Sequence, residues 1–162
     1  MRISVASLTL IFLFASTSEA ASLCKKDEIE FFTCHLKSKI AVLCGAKDKN
    51  SGHLYMQYKT MKKSRLEFIY PAKYSDASLS FKQSYWTLPH GEYIAVSFSS
   101  AQYKYILRQA WDTHSPGWAA ITVLKQGKLL TENSCNDELG YEPSFLAHLP
   151  QGTLPPEDYW WP

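Results

Sequence analysis

Four cysteines, at positions 24, 34, 44 and 135, are the residues of this chain best placed to do covalent chemistry. Three fall in "CKKDEIEFFTCHLKSKIAVLC" with nine residues between neighbours, and the fourth lies far downstream. Zinc sites draw their first pair of ligands from two to four residues apart, so this spacing argues against a metal. A catalytic thiol would have to stay reduced. The histidines, His35, His53, His90, His114 and His148, form no helical ligand pair of the HExxH kind. "WDTHSPGW" brings Asp112, His114 and Ser115 together in sequence, but a nucleophilic triad is assembled in space from separate elements, and alternation sends Ser115 away from the other two. Phosphate loops and the G-x-S-x-G elbow are absent. No pair of acids is singled out for general acid-base work. The residues thus predict no catalytic group, no metal and no cofactor.

The remaining use of four thiols is cross-linking, and the start of the chain supplies the context. Arg2, the apolar run Leu8 to Ala15 and the small-x-small Ser18-Glu19-Ala20 predict a signal peptide over 1–20. The run is shorter than the roughly 20 residues of a membrane helix, so no transmembrane segment is expected. Export to the periplasm or the medium is an oxidising fate, in which an even cysteine count means disulfides. A hairpin turning at Lys37-Ser38-Lys39 places Cys34 and Cys44 diagonally on one apolar face, about 7–8 Å apart, beyond comfortable bonding distance. Cys24 to Cys34 and Cys44 to Cys135 are therefore the expected bridges.

The elements that carry these residues read as strands. "HLYMQYKT", "RLEFIYP", "YIAVSFS" and "QYKYILRQAW" alternate with period two, and turn signals separate them at "SSAQ" and Gln126-Gly127. Seven to nine antiparallel strands follow, which predicts an all-β fold: a small barrel or sandwich of consecutive hairpins, stapled by disulfides. "EPSFLAHL" has room for a turn or two of helix. The organisation is a signal peptide over 1–20, a β-domain over 21–149 and a Pro/aromatic tail over 150–162. Loss of Arg2 and Glu19 with the leader leaves the formal charge at +2, too small to favour nucleic acid or an anionic membrane. Cations such as Lys25, Lys59 and Lys63 concentrate early, whereas Glu132, Glu142 and Glu157 lie late.

Binding residues are expected where aromatics meet loops. Trp111, His114 and Trp118 border a glycine-bounded loop, and Tyr159, Trp160 and Trp161 give the tail either a strap for the core or an anchor for a protein partner.

Two resemblances add to this. The framework "EIEFFTC…KIAVLCG…SGHLYMQYKT" with "YIAVSFSSAQYKYIL" and "KQGKLLTENSC" resembles a group of small exported proteins of Gram-negative bacteria; the likeness implies export and carries no activity. "SGHLY" is similar to the Ser-Gly-x-x-Tyr motif of periplasmic inhibitors of c-type lysozyme, which are small disulfide-stapled β-barrels. That likeness implies that Ser51 and Tyr55 belong to an inhibitory loop. The family's second motif is missing, since "VLKQGK" supplies only Lys125 and Gly127. The expected function is accordingly an exported protein-binding module, an inhibitor or immunity protein among the possibilities. The alternative is an envelope enzyme with an unrecognised site, or an envelope structural protein.

Overall fold

A computed structural model describes residues 23–135, 146–149 and 151–157. The leader over 1–20 and the tail aromatics Tyr159, Trp160 and Trp161 lie outside the described residues. The fold is all-β, in two antiparallel sheets. The first is a meander of β1 (Ile29–Leu36), β2 (Lys39–Lys47), β3 (Leu54–Lys62) and β4 (Arg65–Tyr70); the second is a meander of β5 (Lys82–Leu88), β6 (Gly91–Ser100), β7 (Tyr103–Asp112), β8 (Ser115–Lys125) and β9 (Lys128–Ser134). One helical turn, α1 (Ala77–Ser80), lies on the connection between sheets, capped by the Asp76 carboxylate on the Ser78 N–H. The helical residues of "EPSFLAHL" within the described region are a single 3-10 turn at Leu146–His148.

Alternation decides which side chains meet between the layers. Phe32, Leu43, Met56 and Tyr58 of the first sheet pack with Val96, Phe98, Leu107 and Ile121 of the second. Aromatic rings run through this core: Tyr70 on Phe98 at 4.6 Å, Phe98 on Tyr105 at 4.9 Å and Phe68 on Tyr105 at 5.5 Å between centroids. Such contacts add to the area they bury. Burial also pushes the Tyr58 hydroxyl's pKa well up.

The β1–β2 hairpin departs from the expected register, and the departure corrects the disulfide pairing. Leu36 pairs with Lys39 across a two-residue turn, Lys37-Ser38, so Cys34 faces Ala41 and Glu30 faces Cys44. A slip of one residue sends every side chain of one strand to the other face. Cys34 therefore points into the core while Cys44 points to the outer side of the sheet. The bridges are Cys24–Cys44, with Cα atoms 5.4 Å apart, and Cys34–Cys135, at 4.9 Å. The expected pairs, Cys24 with Cys34 and Cys44 with Cys135, are both wrong. Cys34–Cys135 ties β1 of one sheet to the end of β9 in the other.

Cys24–Cys44 fastens the segment before β1 over the outer face of the first sheet. Glu28 is the centre of that cover, with its side chain fully buried. Its carboxylate accepts from the Tyr74 hydroxyl at 2.6 Å and the Lys25 N–H at 2.8 Å, and it faces Lys59 Nζ at 3.5 Å. Lys25 Nζ stands 4.1 Å over the Tyr74 ring.

The end of the described chain is held as firmly. Leu154 is buried in the core, Gln83 N–H donates to the Pro155 carbonyl and Glu157 N–H donates to the Gln83 carbonyl, so this segment runs parallel beside β5. The Glu157 carboxylate accepts from Ser97 at 2.9 Å and pairs with Lys104 at 3.1 Å. Burial pushes its pKa up, but the Lys104 and Ser97 contacts outweigh that and hold it below the usual glutamate value. Truncating the chain after Gly152 is expected to expose the β5 edge and the Leu154 site. Its measure is a lower unfolding midpoint and faster amide exchange in β5, where burying a leucine is worth about 1.5–3 kcal/mol.

Candidate binding surfaces

The structure distributes the sequence-predicted site residues over both sheets. Trp111, His114 and Trp118 belong to the β7–β8 hairpin, whose ladder closes at Asp112 opposite Ser115 with Thr113-His114 as its turn. The Asp112 carboxylate accepts the His114 backbone N–H at 2.8 Å, a local turn contact. Trp111 is half-buried, whereas Trp118 is 37% exposed and lies on the outer face of the second sheet. The neighbouring β5–β6 hairpin adds residues that the sequence did not single out. His90 meets the His114 ring at 4.9 Å between centroids, and Tyr93 meets Trp118 at 6.4 Å. Cross-strand register supplies these neighbours, and nothing in a linear reading connects positions 24 residues apart.

Ser51 and Tyr55 sit elsewhere, at the β2–β3 hairpin of the first sheet. Asp48 organises the loop: its carboxylate accepts from the Ser51 N–H at 2.7 Å, the Ser51 hydroxyl at 2.9 Å and the Asn50 N–H at 3.0 Å. These bonds, the Ser51 N–H first, hold the Asp48 pKa below its ordinary value. Gly52 takes φ +72° there, the left-handed region that glycine enters without strain. His53 Nδ1 lies 2.5 Å from Asp76, and Tyr55 packs edge-on to Tyr74 at 4.5 Å. "SGHLY" is thus a hairpin loop running into a strand, with its serine hydroxyl engaged by its own turn.

Further acids and bases have structural partners. On the outer face of the second sheet Glu132 pairs with buried Arg108 and accepts from Thr122. Among the described residues, Cys24, Glu28 and Cys44 are the one group of three metal-type ligands within reach of one another, and both sulfurs are in the disulfide. No helix among the described residues is long and apolar enough to cross a membrane.

The edge of the second sheet carries a surface that the sequence reading missed. β9 pairs with β8 on one side, and among the described residues no strand pairs with its other side. Leu129 is 65% exposed and Leu130 56%. The ladder shifts register between Val123 and Leu124, so Leu130 is the extra residue opposite them. A bulge of this kind re-aims a side chain, which is how two consecutive leucines both reach solvent. The signal was present in "KQGKLLTENS", whose paired leucines break the alternation of a strand with one inward face.

Comparison of the chain with protein-family models, with curated proteins and with solved structures found no match.

Proposed function

We propose that the protein is an exported, disulfide-stapled β-domain that binds a protein partner, acting as an inhibitor or immunity protein against an enzyme or toxin of the cell envelope. The observation that carries this reading is the β9 edge. Among the described residues no strand pairs with its outer side, and it carries two exposed leucines. Unpaired edges recruit extended segments by strand addition, with main-chain bonds giving affinity and side-chain pockets giving selectivity. The two disulfides support the reading in two ways. They suit the oxidising compartment to which the leader would direct the chain, and a scaffold held rigid before docking loses less entropy on binding.

Photocrosslinking tests it. A benzophenone amino acid at Thr131, in protein exported by its native host, is expected to form one discrete adduct with an envelope or secreted protein. Leu129→Lys with Leu130→Lys removes that adduct while the unfolding midpoint stays unchanged, because both side chains are exposed. If each leucine contributes the about 1.5 kcal/mol at the low end for full burial, the pair weakens binding by about a hundredfold. Self-adducts alone, or an adduct indifferent to the leucines, overturn the reading. Incubation with a c-type lysozyme separates the narrower possibility: inhibition lost in Ser51→Ala would place the contact at the β2–β3 loop instead of β9.

A further inference from the structure

We propose that His90 and His114 form a two-imidazole site for a divalent transition-metal ion, with Cu(II) the tightest-bound and Zn(II) a weaker alternative. This does not rest on the partner-binding reading.

The site is built by the backbone of two adjacent hairpin turns. His90 ends the β5–β6 turn and His114 ends the β7–β8 turn, and the Thr113 N–H donates to the His90 carbonyl at 2.8 Å. Next to it, Gly91 pairs with Asp112. That approach is close enough that a Cβ on Gly91 would lie 2.2 Å from the Trp111 carbonyl oxygen and 3.0 Å from the Asp112 Cα. Only glycine admits it, and it fixes the positions from which both imidazoles project.

Both histidines are exposed, and their rings touch edge to face at 4.9 Å between centroids. Metal–imidazole bonds of about 2.0–2.1 Å require the two ligating nitrogens to approach within about 3 Å. The site therefore requires one exposed ring to turn about its terminal side-chain bond so that the two nitrogens meet. Imidazole nitrogens select copper, nickel and zinc over calcium and magnesium, and the order of divalent affinities puts Cu(II) first. The Asp112 carboxylate, which accepts the His114 N–H, adds a negative charge to the same turn. With two protein ligands, water fills the remaining positions, so exchange is fast and the ion can be handed on.

Titration of the full exported, oxidised protein with copper sulfate, followed by electron paramagnetic resonance, tests the proposal. One ion per chain is expected, with hyperfine structure from two nitrogens. His90→Ala and His114→Ala each weaken binding by about tenfold or more, and the double variant binds more weakly than either single, because one imidazole alone still ligates copper. His53→Ala leaves the affinity unchanged. Circular dichroism of the metal-free variants confirms the fold, which exposed turn residues should not disturb. Binding that persists unaltered in the double variant, or no binding by about millimolar copper, overturns the proposal.

Discussion

Replacing Cys34 and Cys135 together by alanine is expected to lower unfolding stability by about 4–5 kcal/mol, the largest effect of any change considered. The bridge closes 101 residues of sequence, and in the chain-entropy description a loop of that size restricts the unfolded ensemble by about 4.7 kcal/mol. Cys24–Cys44 spans 20 residues and should contribute about 3 kcal/mol. Cys34 is also completely buried, so its bridge fixes how the two sheets face each other, whereas the other bridge holds a covering segment. Domains have only about 5–15 kcal/mol in hand, so the first pair of substitutions removes a large part of it. Urea unfolding of the two double variants checks the order. A larger loss for the Cys24 and Cys44 pair contradicts it, and so does a Cys24–Cys34 peptide in a non-reducing digest.

Glu28→Ala is expected to cost about 3–5 kcal/mol, the range for removing one member of a buried ion pair. Much of that is the penalty of leaving Lys59, itself nearly buried, without its anion. Glu28→Ala combined with Lys59→Met should recover most of the loss, because the second change removes the stranded charge. Additive losses would show that the pair is not coupled. The same carboxylate gives a pH dependence. Burial pushes its pKa up, but the Tyr74 and Lys25 hydrogen bonds and the Lys59 charge outweigh burial, and the net value lies below 4.5. A depressed carboxylate contributes stability that is complete above its unfolded-state value and is lost as pH falls through the folded-state value. Acid should therefore loosen the segment over the first sheet. Stability measured from pH 6 downward should fall less steeply in Glu28→Gln than in the parent.

These two sites also show how far the linear reading extended. The Gln126-Gly127 turn was legible because glycine enters the left-handed region without strain, and Gly127 adopts φ +79° there, with Gln126 beside it at +50°. The alternation of "QYKYILRQAW" was legible because β7 pairs regularly with both neighbours from Tyr103 to Ala110, and period two is a local property. The β1–β2 turn was not legible to the residue. Lys37, Ser38 and Lys39 carry no glycine, asparagine or proline to set its length, and an error of one position there put Cys44 on the inner face with Cys34 when it lies on the outer one. Both expected bridges failed from that single slip. The same limit hid the β9 bulge and the meeting of His90 with His114.

Thiol count, alternation and turn residues determined by themselves that this is a β-protein of consecutive hairpins held by disulfides, because each acts over a few neighbouring residues. Which sulfur met which, which acid was buried against which lysine and which histidines became neighbours were decided only by tertiary structure. Each depends on cross-strand register and on how one sheet lies on the other, where a shift of one residue exchanges inside for outside.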